Sequence, residues 1–459
     1  MGLLLIWGLS SWRASLALTP AQAPLPQDAY IKVYFNQNPA SVYSEPYRKT
    51  TRYGDNLEQV IVDALSQAKS SIDIAVHELN LPDVARALSQ QSRVGVQIRL
   101  IVENTYSRPW SSLSAAQVGQ LDEYRQAKYS EFNSLVDKNR DGKLSLKERD
   151  QRDAFYILQQ AQIPLLDDTA DGSKGSGLMH HKFAVIDHQT VLAGSANWTI
   201  SDVHGDFSSP ESRGNANAQL VIVSPALAAI YTEEFNQMWG DGPSGKRDSV
   251  FGLKKSYRGV RSLLLPGSAL QVQFSPTPKP QTWAQSVNGL IAKTLQQAQR
   301  EIDMALFVFS EQALSNTLYQ AATRGVQVKA LIDPGFAYRD YSEGLDMLGV
   351  AMPNQQCRYE SYNQPWPQPL LSVGVPHLAQ GDKLHHKFAL VDDATVIIGS
   401  QNWSKAANET NDENLLVIRN STVAAHFRRE YDRLYSNAKL GMTEQLQATL
   451  NRRRRDCGL

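Results

Sequence analysis

The chain has 459 residues, with 46 Lys+Arg against 46 Asp+Glu, 42% hydrophobic and 20% charged residues. That length predicts two or three domains with enough core to fold without metal or disulfide staples. The charge balance excludes a strongly basic nucleic-acid coat and an acidic tail protein, though not a local basic groove. Ordinary hydrophobic content excludes wholesale disorder, and the apolar run 3–9 is too short to span a bilayer.

In chain order, residues 1–23 are apolar, poor in charge and end in the small-x-small pattern Ala21-Gln22-Ala23, so they read as a signal peptide and place the protein outside the cytoplasm, secreted or periplasmic. The stretch 71–88 joins a short apolar β-run to helical spacing, and a second β-run follows at 93–102; the same β-α-β grammar returns at 301–318 and 324–333. Farther on, residues 180–199 match 385–404 nearly position for position, each as two short strands around a four-residue polar turn. The chain is therefore an internal duplication. Ile72 to His180 spans 108 residues and Ile302 to His385 spans 83, so the first half carries an insertion. The expected layout is a first α/β domain over 30–240 with an insertion at about 115–160, a Gly- and Lys/Arg-rich linker over 241–266, a second α/β domain over 267–440 and a solvated basic tail over 441–459. A pseudo-two-fold axis would relate the two α/β domains. Cys357 and Cys457 either pair, tying the Arg452–Arg455 run to the body, or stay as free thiols.

Both halves carry His-x-Lys-x4-Asp, as His180, Lys182 and Asp187 and as His385, Lys387 and Asp392. Seven residues beyond each Asp stands Gly-Ser-x-Asn-Trp, with Ser195 and Asn197 in one copy and Ser400 and Asn402 in the other. Two copies at identical spacing are not an accident. In extended backbone the His and Lys of each motif share a face. An imidazole beside an ammonium can attack phosphorus while the cation neutralises a non-bridging oxygen, and Ser195, Asn197, Ser400 and Asn402 would add donors to the same anion. Duplication supplies a nucleophile and a general acid without a metal. Trp198 and Trp403 read as core, and His181 and His386 as facing away from the lysines.

These motifs resemble those of the phospholipase D superfamily of phosphodiesterases, over roughly residues 30–440. The resemblance implies two domains packed face to face, an active site at the pseudo-dyad and a covalent phosphohistidine. It makes His180 the nucleophile and His385 the acid, with the lysines and asparagines on phosphate and Asp187 and Asp392 bracing the local fold. It also implies a histidine-orienting glutamate, which the second half offers as Glu413; the equivalent first-half position is Asn217. Within one half, Glu413 would serve His385, and a neutral partner would suit His180 as nucleophile. Glu211 and Asp206 are the other carboxylates that could serve the first half.

The insertion contains 137–148, DKNRDGKLSLKE, which fits the EF-hand pattern at every position. Asp137, Asn139, Asp141, Ser145 and Glu148 would offer side-chain oxygens and Lys143 its carbonyl to a structural or weakly regulatory calcium, with no cofactor needed for catalysis. The segment 172–177, GSKGSG, reads as a mobile loop near the site rather than a phosphate-binding P-loop. Three functions compete. A phosphodiesterase acting on phospholipid headgroups is narrowly ahead of a nuclease acting on DNA or RNA, and a calcium-dependent binding protein without catalysis trails because both motifs are intact. A monomer with an internal pseudo-dimer is expected, with peripheral membrane contact open.

Overall fold

The computed structural model describes residues 18–173 and 177–459. Most of the leader at 1–23 and the centre of the GSKGSG loop lie outside these. Of the leader, Ala21 donates its N–H to Pro39 O at 2.9 Å, and Ala23 O accepts from Arg429 Nη1 at 2.8 Å.

Each half builds one mixed sheet. The first has seven strands in the order Ile31–Phe35, Ala218–Val223, Thr190–Gly194, Lys182–Ile186, Ser71–Val76, Gln97–Val102 and Leu165–Asp167. The second has nine, and its inner members repeat that order: Glu413–Arg419, Thr395–Gly399, Lys387–Val391, Glu301–Leu306 and Gln327–Ile332. The β-α-β units are as expected. Ser71–Val76 runs parallel to Gln97–Val102 across the helix Pro82–Arg93, and Glu301–Leu306 parallel to Gln327–Ile332 across Gln312–Thr323.

Period two along the motif strand explains the layering. Phe183 and Val185 enter a central core that also holds Phe274, Phe388 and Leu390 of the second half, whereas Ala184 and Ile186 enter an outer core of the first half alone. The helices Pro225–Trp239 and Ser421–Tyr435 add Tyr231, Phe235, Phe427 and Tyr431 to the central layer. The halves are thus welded by one shared hydrophobic core, and Trp198 and Trp403 are fully buried in the outer ones.

Three expectations change. The turn between the motif strands closes over three residues, Asp187 to Gln189, with Asp187 and His188 at φ of 51° and 53°. The linker is largely structured. Phe251 is buried, Lys255 pairs with Glu234 and Asp412 in the interior, and Arg261–Leu265 already forms a sheet strand. The tail is not a loose basic run, because Glu444–Asp456 is a helix whose Leu446 and Leu450 enter the second outer core. A Cys357–Cys457 disulfide, spanning 100 residues of sequence, ties that helix down. Closing so long a loop constrains the unfolded chain by about 2–4 kcal/mol. Cys457→Ser should therefore lower the melting temperature by several degrees, and reductant should reproduce the shift in the parent but not in the variant.

Candidate active site

The two motif histidines meet where the halves exchange backbone hydrogen bonds. His180 N donates to Asp412 O at 2.9 Å and Asp412 N to Leu178 O at 2.8 Å; in mirror fashion, His385 N donates to Ala216 O at 3.1 Å and Ala216 N to Lys383 O at 2.8 Å. Each catalytic segment is therefore positioned by the opposite half. Lys182 and Lys387 are 1% exposed, and each Nζ donates to the carbonyl of its own motif histidine at 2.8 Å.

Burying two cations and two imidazoles together disfavours charge on all of them. Desolvation first, then Lys182 and Lys387, hold His180 well below the usual imidazole range, and desolvation with the same two lysines does so for His385. Burial lowers Lys182 to about 8, and burial plus the neighbouring Lys182 pushes Lys387 well down. Such a cluster is poised for an anion, whose charge would relieve the mutual repulsion.

The partners of the imidazoles are crossed. Glu413 Oε2 lies 2.8 Å from His180 Nδ1, so the second half's glutamate serves the first half's histidine. Asn217 Oδ1 of the first half lies 3.0 Å from His385 Nδ1. The expectation that Glu413 serves His385 is thus overturned, because strand ends at the dyad project across it. The carboxylate near His385 is Asp202, whose Oδ2 is 3.7 Å from Nδ1, rather than Glu211 or Asp206. Glu211 is 78% exposed and contacts Arg213. Nothing in the motif spacing marked Asp202; it sits in the short helix Ile200–Val203 just past Asn197, where it also accepts the Asn197 N–H at 2.6 Å.

Ser195 and Ser400 also change role. Both are fully buried. Ser195 Oγ donates to Asn217 Oδ1 at 2.8 Å, and the Ser400 hydroxyl bonds Glu413. Each serine therefore braces the partner of a histidine instead of reaching phosphate. Asn197 and Asn402 each carry a buried Oδ1 with no hydrogen-bond partner. Asp187 and Asp392 touch no motif histidine or lysine. Asp187 accepts the N–H groups of Lys69, Ser70 and Ser71 at 2.8–2.9 Å, and Asp392 those of Gln299, Arg300 and Glu301 at 2.8–3.0 Å. They clasp the start of the neighbouring strand and belong to the scaffold. His181 and His386 face the central core, on Glu234 and Glu430.

The inserted segment forms helices Glu123–Val136 and Leu146–Arg152, and Glu148 Oε1 reaches back across the loop to accept Lys138 N at 2.9 Å. Glu148 closes a capping box with Ser145, taking Ser145 N at 3.0 Å and its Oγ at 2.7 Å. Asp137 accepts Asp141 N and Gly142 N, and Asp141 accepts Lys143 N and Asn139 Nδ2. Among the described residues no group of three or more His, Cys, Asp or Glu is placed to hold a metal ion. The calcium expectation at Asp137, Asn139, Asp141, Lys143, Ser145 and Glu148 is not supported by these contacts. The insertion instead sends Lys128 to Glu78, beside the first-half histidine.

A family described as the phospholipase D-like domain of cardiolipin synthase matches residues 61–239 and again 291–435. The chain belongs to the phospholipase D superfamily, and phosphodiester chemistry is its reaction class. It is 29% identical over 189 residues to a mitochondrial cardiolipin hydrolase of Xenopus laevis, covering 40% of this chain and 78% of that one. It is 26% identical over 173 residues to the human mitochondrial cardiolipin hydrolase, of which it spans 60%. A Rickettsia typhi phospholipase D is 27% identical over 152 residues, covering 32% of this chain and 63% of that one. The crystal structure of the Haemophilus influenzae phosphatidylserine synthase superposes with a TM-score of 0.55 at 14% identity, over 95% of this chain and 92% of that one, which shows a shared two-domain fold.

Burial pushes the Glu413 carboxyl up to about 7, against the pull of Lys182. Glu413 is charged above that value, so kcat/KM should rise with pH through an acid limb near 7. Glu413→Gln should abolish that limb and lower kcat about 100-fold, while Asp187→Asn should reduce the melting temperature and leave the pH profile in place.

Proposed function

We propose that this phospholipase D-type enzyme hydrolyses phospholipid phosphodiesters through a phosphohistidine on His180. His180 Nε2 attacks phosphorus while Lys182, Lys387, Asn197 and Asn402 bind the non-bridging oxygens. The ester oxygen leaves from the opposite apex and takes the His385 proton. Water then attacks the phosphorus–nitrogen bond, gives its proton to His385 and frees His180.

The crossed partners support this division of labour, on a physical ground opposite to the expectation above. A ring phosphorylated on Nε2 keeps its Nδ1 proton and a positive charge, which the Glu413 carboxylate stabilises. His385 must release a proton from Nε2, and neutral Asn217 on its Nδ1 stabilises the charged ring less than a carboxylate at hydrogen-bond distance would, the Asp202 carboxylate standing farther off at 3.7 Å. The diester anion between the lysines supplies the negative charge that lets His385 carry that proton into the complex.

The observation that carries lipid over nucleic acid is the wall beside the acid. Phe307 packs on His385 with ring centroids 4.8 Å apart, Phe336 packs on Phe307 at 4.7 Å, and Phe307, Val308 and Phe336 all stay partly exposed. The departing group would meet aromatic carbon at this wall. The names of the matched hydrolase and phospholipase point the same way.

Vesicles containing phosphatidylcholine or cardiolipin should be hydrolysed in chelator, with His180→Ala and His385→Ala each reducing kcat by at least 1,000-fold. Acid-quench labelling should trap phosphate on the parent and lose it in His180→Ala. Cleavage of single-stranded DNA with intact vesicles would transfer the same chemistry to nucleic acid and sink the lipid reading.

A further inference from the structure

A third imidazole lies in this site, and the motif chemistry does not use it. His77 follows the strand Ser71–Val76 and occupies the position that Phe307 holds after the strand Glu301–Leu306. The two rings do the same packing job. His77 meets His180 with centroids 4.8 Å apart at 61°, and Phe307 meets His385 at 4.8 Å and 66°. A phenyl ring therefore suffices to buttress a catalytic histidine, and the nitrogens of His77 are surplus to packing.

Its Nδ1 is unspent. His77 is 9% exposed, and its Nδ1 is sealed from solvent with no hydrogen-bond partner. Glu78 Oε1 lies 3.5 Å from Nδ1, and Glu78 is itself held by Lys128 from the inserted helix. The backbone on both sides is pinned, with His77 N donating to His181 O at 2.9 Å and Glu103 N to His77 O at 3.3 Å. Tyr106 packs edge-on against the ring at 5.4 Å.

We infer that His77 is a substrate-binding residue, donating Nε2–H to a non-bridging oxygen of the phosphodiester seated between His180 and His385. This rests on the reading of the site as a phosphodiester centre. An anion at Nε2 and the Glu78 carboxylate behind Nδ1 together favour the doubly protonated ring in the complex, whereas desolvation, His180, Lys182 and Lys128 keep the ring neutral in the empty site. The site then has unequal walls. Its first-half side hydrogen-bonds phosphate, and its second-half side, at Phe307, offers only carbon.

The full chain would be assayed on bis(p-nitrophenyl) phosphate, with inorganic phosphate as competitive inhibitor. His77→Phe, the residue already tolerated at the mirror position, should keep the melting temperature. It should lower kcat/KM about 10-fold or more, chiefly through KM, and weaken phosphate inhibition by a similar factor. His77→Asn, which keeps a donor, should recover part of both. A folded His77→Phe within two-fold of the parent overturns the inference, as does a fall in kcat with unchanged phosphate inhibition. Were His77→Phe not to fold, His77→Gln and His77→Leu carry the comparison: tighter phosphate inhibition in the Gln variant supports the role, and equal inhibition overturns it. A parent that binds phosphate through His77 yet cleaves no diester would sink the hydrolase reading and leave this one standing.

Discussion

Two buried lysines and two buried histidines sharing one small volume set the terms for this fold. Each group alone is costly to remove from water, and together they repel. The cluster persists because every member has a fixed partner. The lysines spend a proton on the carbonyl of their own motif histidine, and the histidines rest on Glu413 and Asn217 from the opposite half. Neither half could assemble a complete histidine–partner pair by itself, so the central hydrophobic core that joins the sheets is also a condition for the chemistry.

The serines show how deep that support runs. Ser195 and Ser400 stand within the motif and offer hydroxyls, yet both are enclosed and turned to Asn217 and Glu413. The resulting chains, serine to acceptor to histidine, are pseudo-symmetric in geometry and asymmetric in charge. A duplicated scaffold has in this way become two unequal sites facing one substrate. His77 opposite Phe307 continues the divergence one layer outward, and the inserted helices reach it through Lys128 and Glu78.

Every position of 137–148 satisfies the calcium-loop pattern, but the same carboxylates are also helix and turn caps. Ser145 and Glu148 form a capping box, and Asp137 closes the turn at Gly142. Residue types alone cannot say which of these partners a carboxylate holds.

Much of the protein was legible in one dimension. The duplication, the β-α-β units, the paired His-x-Lys-x4-Asp motifs and the core tryptophans all follow from short-range periodicity and repeated spacing, which the backbone obeys locally. The family resemblance could also nominate Glu413 as a histidine partner, and matching 215–222 to 411–418 puts Asn217 at the equivalent position. It could not say which histidine each would meet, since that depends on how two strand ends pass at the dyad. Asp202, His77 and the buried roles of Ser195 and Ser400 were hidden as well. Asp202 meets His385 only where the two sheets pack together, whereas His77, Ser195 and Ser400 meet their partners through strand pairing inside one half, which chain order does not display.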